Sequence, residues 1–338
     1  MRRTLEGSAV RGRRACALST VSDSQQSGRA ARVAVVVLNF NGGEWLRRCL
    51  QSLVDSAGRP AAVIVVDNGS TDGSAGTVET EFPGARLIRN GSNLGFAAGC
   101  NVGIEAALNG GAEWTVLVNP DVRVEPHWLD ELMRAAERRP QLGILAPVQL
   151  EYGSDAPNSW TRAVLPAPDN QSAAAPEPDT VVRVDQVEGS CMAVKRDVFD
   201  RVGLLDTLYG SFFEDYDLCR RARLVGFDVA VAARSRVHHA RSAIWDATSE
   251  RAREHWYRCE RGQFIFAMTD PRRSAAGNLG QYVVTLASKV RAVSKAGELW
   301  RVGGLVRLQL DLLASLPSIM RKARRDRALI CQALSTEP

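Results

Sequence analysis

Short runs of Val, Ile and Leu alternate with amphipathic segments through residues 33–150. Uninterrupted apolar runs of this kind are typical of strands buried on both faces, and intervening helices indicate a mostly parallel sheet. The pattern predicts strands at 33–38, 61–67, 86–88, 114–119 and 143–148. It predicts helices at 44–56, 97–109 and 126–139. Ligands of such sheets bind at the carboxyl ends of the strands, so the residues that follow each strand are the candidates for function.

The second half of the chain is less regular. Residues 152–180 contain five prolines among many Ala and Ser residues, which predicts a flexible loop of the kind that covers a substrate or contacts an acceptor. A strand is predicted at 228–232, with helices at 215–225 and 247–268. After Pro271 the chain is predicted to form helices of mixed basic and apolar character, at 299–316 and 319–330.

Charge divides the chain into three parts. The net charge is +5, yet residues 31–270 carry 25 basic and 32 acidic side chains, so both ends are basic. An acidic body argues against a nucleic-acid-binding protein, whose basic surface normally belongs to its folded domain. We expect a disordered basic leader at 1–30, one folded domain at 31–270 and a basic amphipathic helical tail at 271–338. The tail fits an anionic membrane surface, or packs against the protein's own body.

The cysteines and the hydropathy bear on the cellular compartment. The seven cysteines are scattered and form no CxxC pair, which argues against a zinc site and a disulfide framework. The leader has no apolar run of the signal-peptide type, and no stretch offers the roughly 18 uncharged apolar residues of a spanning helix. We therefore expect a cytoplasmic protein that at most lies on the inner face of the cell membrane.

Polar residues follow the first two predicted strands. Asn39 and Asn41 come after the first strand, and Asp67, Asn68 and Ser70 come at and after the end of the second. An aspartate at this position can accept hydrogen bonds from a nucleobase or a ribose, and the neighbouring glycines let backbone amides approach a ligand. Each cluster alone is a common turn sequence, but two after consecutive strands favour a binding site.

Two more clusters follow along the chain. Asn93, Gly95 and Phe96 lie at the start of a predicted helix, where amides and the helix dipole attract phosphate, although simple helix capping explains them equally well. Asn119 and Asp121 follow the next strand. Asp121 can hold Mg²⁺ or Mn²⁺ on a diphosphate because hard cations prefer oxygen ligands, and an ordinary turn is the alternative.

Acids and histidines complete the candidates. Glu214, Asp215 and Asp217 open a predicted helix, where the dipole favours acids whether or not they have a function. Three aromatic neighbours would partly desolvate a carboxylate there and raise its pKa, which suits a general base acting on a hydroxyl. His238 and His239 follow a predicted strand and are candidate ligands of a metal or a diphosphate, or structural histidines.

In this order and spacing, these clusters resemble the family 2 glycosyltransferases of the GT-A fold, and within them the bacterial rhamnosyltransferase group. The resemblance runs over about residues 33–266. It implies an α/β fold, a Rossmann-like mixed sheet that binds a nucleotide sugar and is flanked by helices, followed here by the amphipathic extension. It implies that Asp67 reads the donor base, that Asp121 is the metal-binding acid of a DxD-like position, and that Asp215 is the catalytic base.

The resemblance extends to three further residues. Asn119 stands where a full DxD sequence has its first acid. His238 falls near the family's late histidine, a metal ligand, and the resemblance leaves open whether His238 or His239 is the functional one. The segment around Arg261 resembles the family's aromatic–Arg helix, so Arg261 is expected to contact an acceptor phosphate.

The resemblance also implies a reaction. Asp215, with Glu214 beside it, would serve an inverting transfer of a sugar to a hydroxyl, with Mg²⁺ or Mn²⁺ as cofactor. The best candidate donor is dTDP-rhamnose, with UDP- and GDP-sugars left open. The candidate acceptor is a polyprenyl-diphosphate-linked or other saccharide of the cell wall or cell surface. The alternatives are a sugar-phosphate nucleotidyltransferase and a nucleotide-sugar-binding scaffold without catalysis.

Overall fold

A computed structural model describes residues 32–165, 180–241, 250–296 and 299–335. The strands in these ranges are β1 (Val33–Asn39), β2 (Ala62–Asp67), β3 (Arg86–Arg89), β4 (Trp114–Val118), β5 (Val122–Val124), β6 (Leu142–Glu151), β7 (Val181–Arg183), β8 (Cys191–Lys195) and β9 (Asp228–His239). The helices are α1 (Gly43–Asp55), α2 (Ser74–Glu81), α3 (Phe96–Asn109), α4 (Trp128–Glu137), α5 (Ser159–Val164), α6 (Arg196–Val202), α7 (Glu214–Leu224), α8 (Glu250–Met268), α9 (Ala275–Ala296) and α10 (Leu299–Ser335).

All the described strands belong to one mixed sheet, in the order β3-β2-β1-β4-β8-β6-β9-β5, with β7 paired to β9. The strands β3, β2, β1 and β4 are parallel, whereas β8 runs antiparallel to both β4 and β6. The carboxyl ends of β1, β2 and β4 therefore lie at the same edge as the beginning of β8. We call this edge the rim.

Helices cover both faces of the sheet. On one face α1 buries an apolar stripe that includes Leu46 and Leu50 against β1 and β4. On the other face α3 approaches the sheet closely because its inward positions are glycines. A methyl group on Gly99 would lie 2.6 Å from Leu38 Cδ1, which is closer than packed carbon atoms allow. The small residues of α3 thus fix how deeply the helix settles behind the rim.

The C-terminal helices form a third apolar core with α8. Its fully buried members include Phe264, Leu308 and Leu312. The prediction of two helices after residue 299 was wrong, because α10 continues through Pro317. Leu312 and Ile319, on either side of the proline, both pack into this core, and we attribute the continuity to that packing. Residues 300–331 are long and apolar enough to cross a membrane by length and composition alone, unlike the sequence-based expectation.

The structure also changes the expected bounds of β9 and the expected loop at 152–180. Strand β9 extends to His239, so both histidines end the strand instead of following it. The expected flexible loop at 152–180 contains α5, which Asn158 caps by accepting a hydrogen bond from the Thr161 amide at 2.8 Å. The leader, Cys16, residues 166–179 and residues 242–249 lie outside the described residues. The domain boundaries themselves stay a prediction.

Candidate active site

Asn39 is the centre of a hydrogen-bond network that joins the ends of β1 and β2. It is completely buried, and its amide group lies 3.0 Å from Asp67 Oδ1, 3.0 Å from Ser70 Oγ and 2.8 Å from Ser74 Oγ. Asp67 is only 3% exposed, and its second oxygen accepts from the Ser70 amide. The network brings three of the predicted residues together, and Asp67 itself is largely occupied in holding the loop after β2.

Asn41 lies at the exposed entrance of the same network. Its backbone adopts the left-handed region, with a φ of 53°, which asparagine tolerates better than most residues. Its side-chain oxygen accepts from the Thr71 amide at 2.8 Å, and its own amide donates to Ser70 Oγ at 2.9 Å. Asp72, to which the sequence analysis gives no role, accepts hydrogen bonds from the Gly43 amide and from Ser74. The sequence feature that could have identified Asp72 is the turn sequence Asp72-Gly73-Ser74.

Asn68 organises the loop before α3. Its side chain donates to Asn93 Oδ1 at 3.0 Å and accepts from the Leu94 amide at 3.1 Å. The amide of Gly95 is bonded to Asn93 Oδ1, and the amide of Ala97 is bonded to the Gly210 carbonyl. Two of the amides at the start of α3 are therefore used within the protein. This favours the capping interpretation over a phosphate cradle, and it links Gly95 and Phe96 to the loop around Gly210.

The turn after β4 places Asp121 beside a histidine, although not the expected one. His239 Nε2 lies 3.4 Å from Asp121 Oδ1, whereas His238 Nε2 lies 3.4 Å from Glu125 Oε1. The reason is the antiparallel register, which pairs Val122 with His239 and points successive side chains of β9 to opposite faces. The structure thus brings His239, and not His238, to Asp121, while a metal-binding role for either histidine stays a prediction.

Asp215 is the second residue of α7 and lies at the same rim. Its Oδ2 accepts from the Gly189 amide at 2.7 Å and its Oδ1 accepts from the Tyr216 amide at 2.8 Å. Burial raises the pKa of Asp215 to about 6, although these hydrogen bonds oppose the shift. Ser190 follows Gly189 in the chain, and its carbonyl accepts a hydrogen bond from the Asn119 amide at 2.8 Å. A short bridge through 189–190 thus connects the loop of Asp121 with Asp215.

The chain matches a known family over most of its length. A model of the glycosyltransferase-like family 2 matches residues 30–258. The chain belongs to this family. It is 32% identical over 247 residues to an N-acetylglucosaminyl-diphospho-decaprenol L-rhamnosyltransferase of Mycobacterium tuberculosis, a match that covers 65% of this chain and 80% of the relative. The rhamnosyltransferase-like resemblance is thereby confirmed, and it favours a glycosyltransferase over a nucleotidyltransferase.

Solved structures confirm the GT-A fold of this family 2 glycosyltransferase. The mannosyltransferase PcManGT of Pyrobaculum calidifontis, in complex with GDP-Man and Mn²⁺, has a TM-score of 0.52 at 17% identity and covers 90% of this chain and 88% of its own. TarS 1–349 of S. aureus, in complex with UDP-GlcNAc, has a TM-score of 0.57 at 15% identity and covers 89% of both chains.

A strained turn precedes the acids of the glycosyltransferase. Phe212 and Phe213 have φ values of 71° and 73°, a conformation that bulky residues rarely adopt. Helix α8 supports the turn from outside, and it approaches closely because residue 262 is glycine. A methyl group there would lie 2.6 Å from the Phe212 carbonyl oxygen. Glu214, only 4% exposed, follows the turn, and burial together with the charge of Asp215 raises its pKa well above the usual range.

Arg261 does not face the rim with a free guanidinium. Its Nε lies 2.5 Å from Asp311 Oδ2, and its Nη1 donates to the Leu208 carbonyl at 2.6 Å. The arginine thus joins α8 to α10 and to the loop before α7. These hydrogen bonds give Arg261 a structural role, and its expected contact with an acceptor phosphate stays a prediction.

The residues at the rim fit a divalent cation that shares its coordination with a substrate. No group of three or more His, Cys, Asp or Glu residues suited to a metal occurs within the described ranges. Asp121 and His239 offer one carboxylate and one imidazole close together. Mg²⁺ and Mn²⁺ commonly take few protein ligands and complete their shell with phosphate oxygens and water, so the pair suits a diphosphate-bound cation.

Proposed function

We propose that this glycosyltransferase moves a sugar, with inversion, from a nucleotide sugar to a hydroxyl group of a lipid-linked saccharide. The observation that carries the proposal is the bridge between the loop of Asp121 and the carboxylate of Asp215 through residues 189–190. The two acids approach one end of the sheet from different elements. A diphosphate near Asp121 and a nucleophilic hydroxyl near Asp215 are then neighbours, as a single displacement requires.

In the proposed reaction, Asp215 accepts the proton of the acceptor hydroxyl while that oxygen attacks the anomeric carbon of the donor. A pKa of about 6 keeps the carboxylate mostly ionised at neutral pH and leaves it basic enough to take a proton. Glu214 Oε2 is buried without a hydrogen-bond partner among the described residues, and we assign it a hydrogen bond to bound substrate. A divalent cation held by Asp121 and His239 would supply positive charge to the departing diphosphate.

For the donor, the proposal takes dTDP-rhamnose, and for the acceptor a polyprenyl-diphosphate-linked saccharide of the cell wall or cell surface. Support comes from the 32% identical relative, whose name specifies an L-rhamnosyl group and a diphospho-decaprenol acceptor. We place the nucleoside at the ends of β1 and β2, beside the hydrogen-bonded Asn39, Asp67 and Asn68. A thermal-shift panel of dTDP-, UDP- and GDP-sugars, with and without Mn²⁺, tests the choice, because a ligand of the folded state raises its melting temperature.

The reaction is tested by measuring released dTDP and transferred radiolabelled rhamnose for the wild type, Asp215→Asn and Asp121→Ala. Asp215→Asn is expected to abolish transfer and to keep donor binding, since it removes only the proton acceptor. Asp121→Ala is expected to weaken donor binding and its response to Mn²⁺ together. Full activity of Asp215→Asn would refute the base assignment. Donor binding by the wild type with no turnover would instead identify a scaffold without catalysis.

We also propose that the C-terminal helices dock on an anionic membrane from the cytoplasmic side. Exposed apolar residues recur every three or four positions on α10, at Val302, Val306, Leu310, Leu313, Leu316 and Met320. Large exposed apolar surfaces mark interaction sites, and basic residues beside them favour anionic lipid. Residues 271–338 carry 12 basic and 4 acidic side chains, so the charge complements such a surface.

Flotation of the full chain with vesicles tests this surface. We expect binding to phosphatidylglycerol vesicles and weaker binding to phosphatidylcholine vesicles. Leu310→Gln/Leu313→Gln removes apolar side chains that are 64% and 66% exposed, and should reduce flotation. Leu94→Gln, at an apolar residue 47% exposed on the loop before α3, is the matched control. Equal flotation of the double variant and the wild type would refute the proposal, as would self-association through this face without vesicle binding.

A further inference from the structure

A buried charge cluster joins the C-terminal helix to the helix of the proposed base. Lys322 Nζ lies 2.7 Å from Asp217 Oδ1, 2.7 Å from Asp326 Oδ2 and 3.3 Å from Asp206 Oδ2. The lysine side chain is 2% exposed, and those of Asp217 and Asp326 are completely buried. Lysine is almost never buried unless its charge is paired. Lys322 is thus used inside the protein, although the basic composition of the tail placed it among the membrane-facing cations.

The charge cluster holds both ends of the segment 206–217, which includes the proposed base Asp215. Asp206 opens this segment and Asp217 closes it, and Lys322 contacts both. Between them the Tyr209 hydroxyl reaches Asp217 Oδ1 at 3.3 Å, and the Gly210 carbonyl accepts the amide at the start of α3. The left-handed turn at 212–213 lies in the middle. Strained backbone of this kind persists only where the surrounding structure holds it in place.

The direction of Asp215 depends on this backbone. The hydrogen bonds that the structure gives its carboxylate come from two main-chain amides, those of Gly189 and Tyr216. The carboxylate therefore follows the first turn of α7 wherever the preceding loop places it. A shift of about 1 Å in a catalytic group is enough to cost about a hundredfold in rate.

We propose that Lys322 is a positioning residue for glycosyl transfer. By bridging Asp206 and Asp217 it fixes the turn at 212–213, and through that turn it aims Asp215 at the acceptor hydroxyl. The proposal rests on the proposed role of Asp215 as the base. It gives the C-terminal helix a part in catalysis that is separate from any contact with a membrane.

The neighbouring arginines make the proposal testable in a folded protein. Asp217 also binds Arg220 at 3.1 Å and Arg221 at 2.8 Å, so its charge remains compensated when Lys322 is replaced. Arg221 further donates to the Leu204 carbonyl at 2.9 Å, which anchors α7 beside the segment that follows α6. Arg325 of α10 still contacts Asp206 at 2.6 Å when Lys322 is lost. Loss of Lys322 therefore removes the bridge between Asp206 and Asp217 and leaves the other anchors of α7.

The test variant is Lys322→Met/Asp326→Leu, which replaces a buried ion pair of α10 with apolar side chains, a change that proteins often tolerate. Titration calorimetry with dTDP-rhamnose and Mn²⁺ counts the donor-binding sites, and initial rates are expressed per site. We expect kcat per site to fall about 10- to 100-fold with an unchanged Kd for the donor. Lys322→Met alone should behave in the same way. Arg321→Met, the same charge change at the exposed adjacent residue, should match the wild type.

Three outcomes would overturn the proposal. Wild-type kcat per site in Lys322→Met/Asp326→Leu means that the bridge does not affect catalysis. Fewer donor-binding sites with wild-type kcat per remaining site means that Lys322 serves stability alone. Asp215→Asn is measured in parallel, and if it is active, the failure lies in the base assignment on which the proposal rests.

Discussion

The rim of the sheet and the C-terminal helices place their polar residues by different means. At the rim, the network of Asn39, Asp67 and Asn68 joins residues that each lie at the end of a strand, so the parallel topology brings them together. In the C-terminal region, Lys322 meets Asp217 across a separation of 105 residues, and no sheet register dictates the contact. A short sequence motif is enough to identify functional residues at the end of a strand. The role of a polar residue on a helix surface can be assigned only when its distant partner is known.

The largest expected effect comes from a substitution at Asp217, the central residue of the buried charge cluster in the C-terminal region. Asp217→Asn leaves Arg220, Arg221 and Lys322, all at most 5% exposed, without their shared carboxylate. Removal of one member of a buried ionic group typically costs about 3–5 kcal/mol. We expect the free energy of unfolding in urea to fall by this amount. Asp55→Asn is the control, because Asp55 is an exposed residue of α1 that accepts a hydrogen bond from Gln51. Equal unfolding midpoints for both variants would show that the buried charge cluster does not stabilise the fold.

The same asymmetry explains what the sequence predicts and what it does not. The alternation of apolar runs and helices predicts the first half of the sheet because buried strands and their spacing are local features. The antiparallel pairing of β5 with β9 is not local, and its register decides that His239 and not His238 reaches Asp121. In the tail, composition alone cannot separate the buried Lys322 from the exposed Arg321, because the partner acids lie far away in the chain.

A second variant separates the two faces of α10. Leu308 is completely buried in the third core, whereas Leu310 is 64% exposed. Leu308→Ala is expected to lower the free energy of unfolding by about 2–5 kcal/mol, the usual range for a buried leucine. Leu310→Ala should change it by no more than about 0.5 kcal/mol. Similar losses in both variants, measured in urea, would show that α10 is not docked through the Leu308 face.

A third variant acts where the two regions meet. Gly262→Ala would bring a methyl group against the Phe212 carbonyl and the Phe213 ring, at 2.6 and 2.8 Å, so helix and turn must separate. Overpacking of this kind costs about 1–3 kcal/mol, and the displaced turn should also lower kcat. Gly280→Ala, on α9 with open space around it, is the matched control and should stabilise the helix by about 0.5–1 kcal/mol. Equal kcat in both variants would show that the turn tolerates movement.

The smallest expected effect is a dependence on pH, which distinguishes Asp215 from Asp217, two residues further along the chain. Burial raises the pKa of Asp215 to about 6. Burial would raise the pKa of Asp217 as well, but Arg221, Lys322 and Arg220 outweigh it and hold that pKa below the usual range. Opposite shifts in neighbouring carboxyl groups mark a division between a chemical and a structural role.

The sign of the pH dependence follows from these directions. Because the proposed base must be ionised, kcat/KM should be nearly constant above about pH 7, fall to half near pH 6, and approach a tenfold loss per pH unit below about pH 5, which corresponds to about 1.4 kcal/mol per unit. Asp217 remains ionised through this range, and its stabilising contribution is lost only as the pH falls through its lowered folded-state pKa. Rates measured between pH 4.5 and 8 with saturating Mn²⁺, beside unfolding midpoints, test both statements. Rates that stay constant down to about pH 4.5 would mean that Asp215 is solvated when it acts, and its burial at the rim would then have no part in the chemistry.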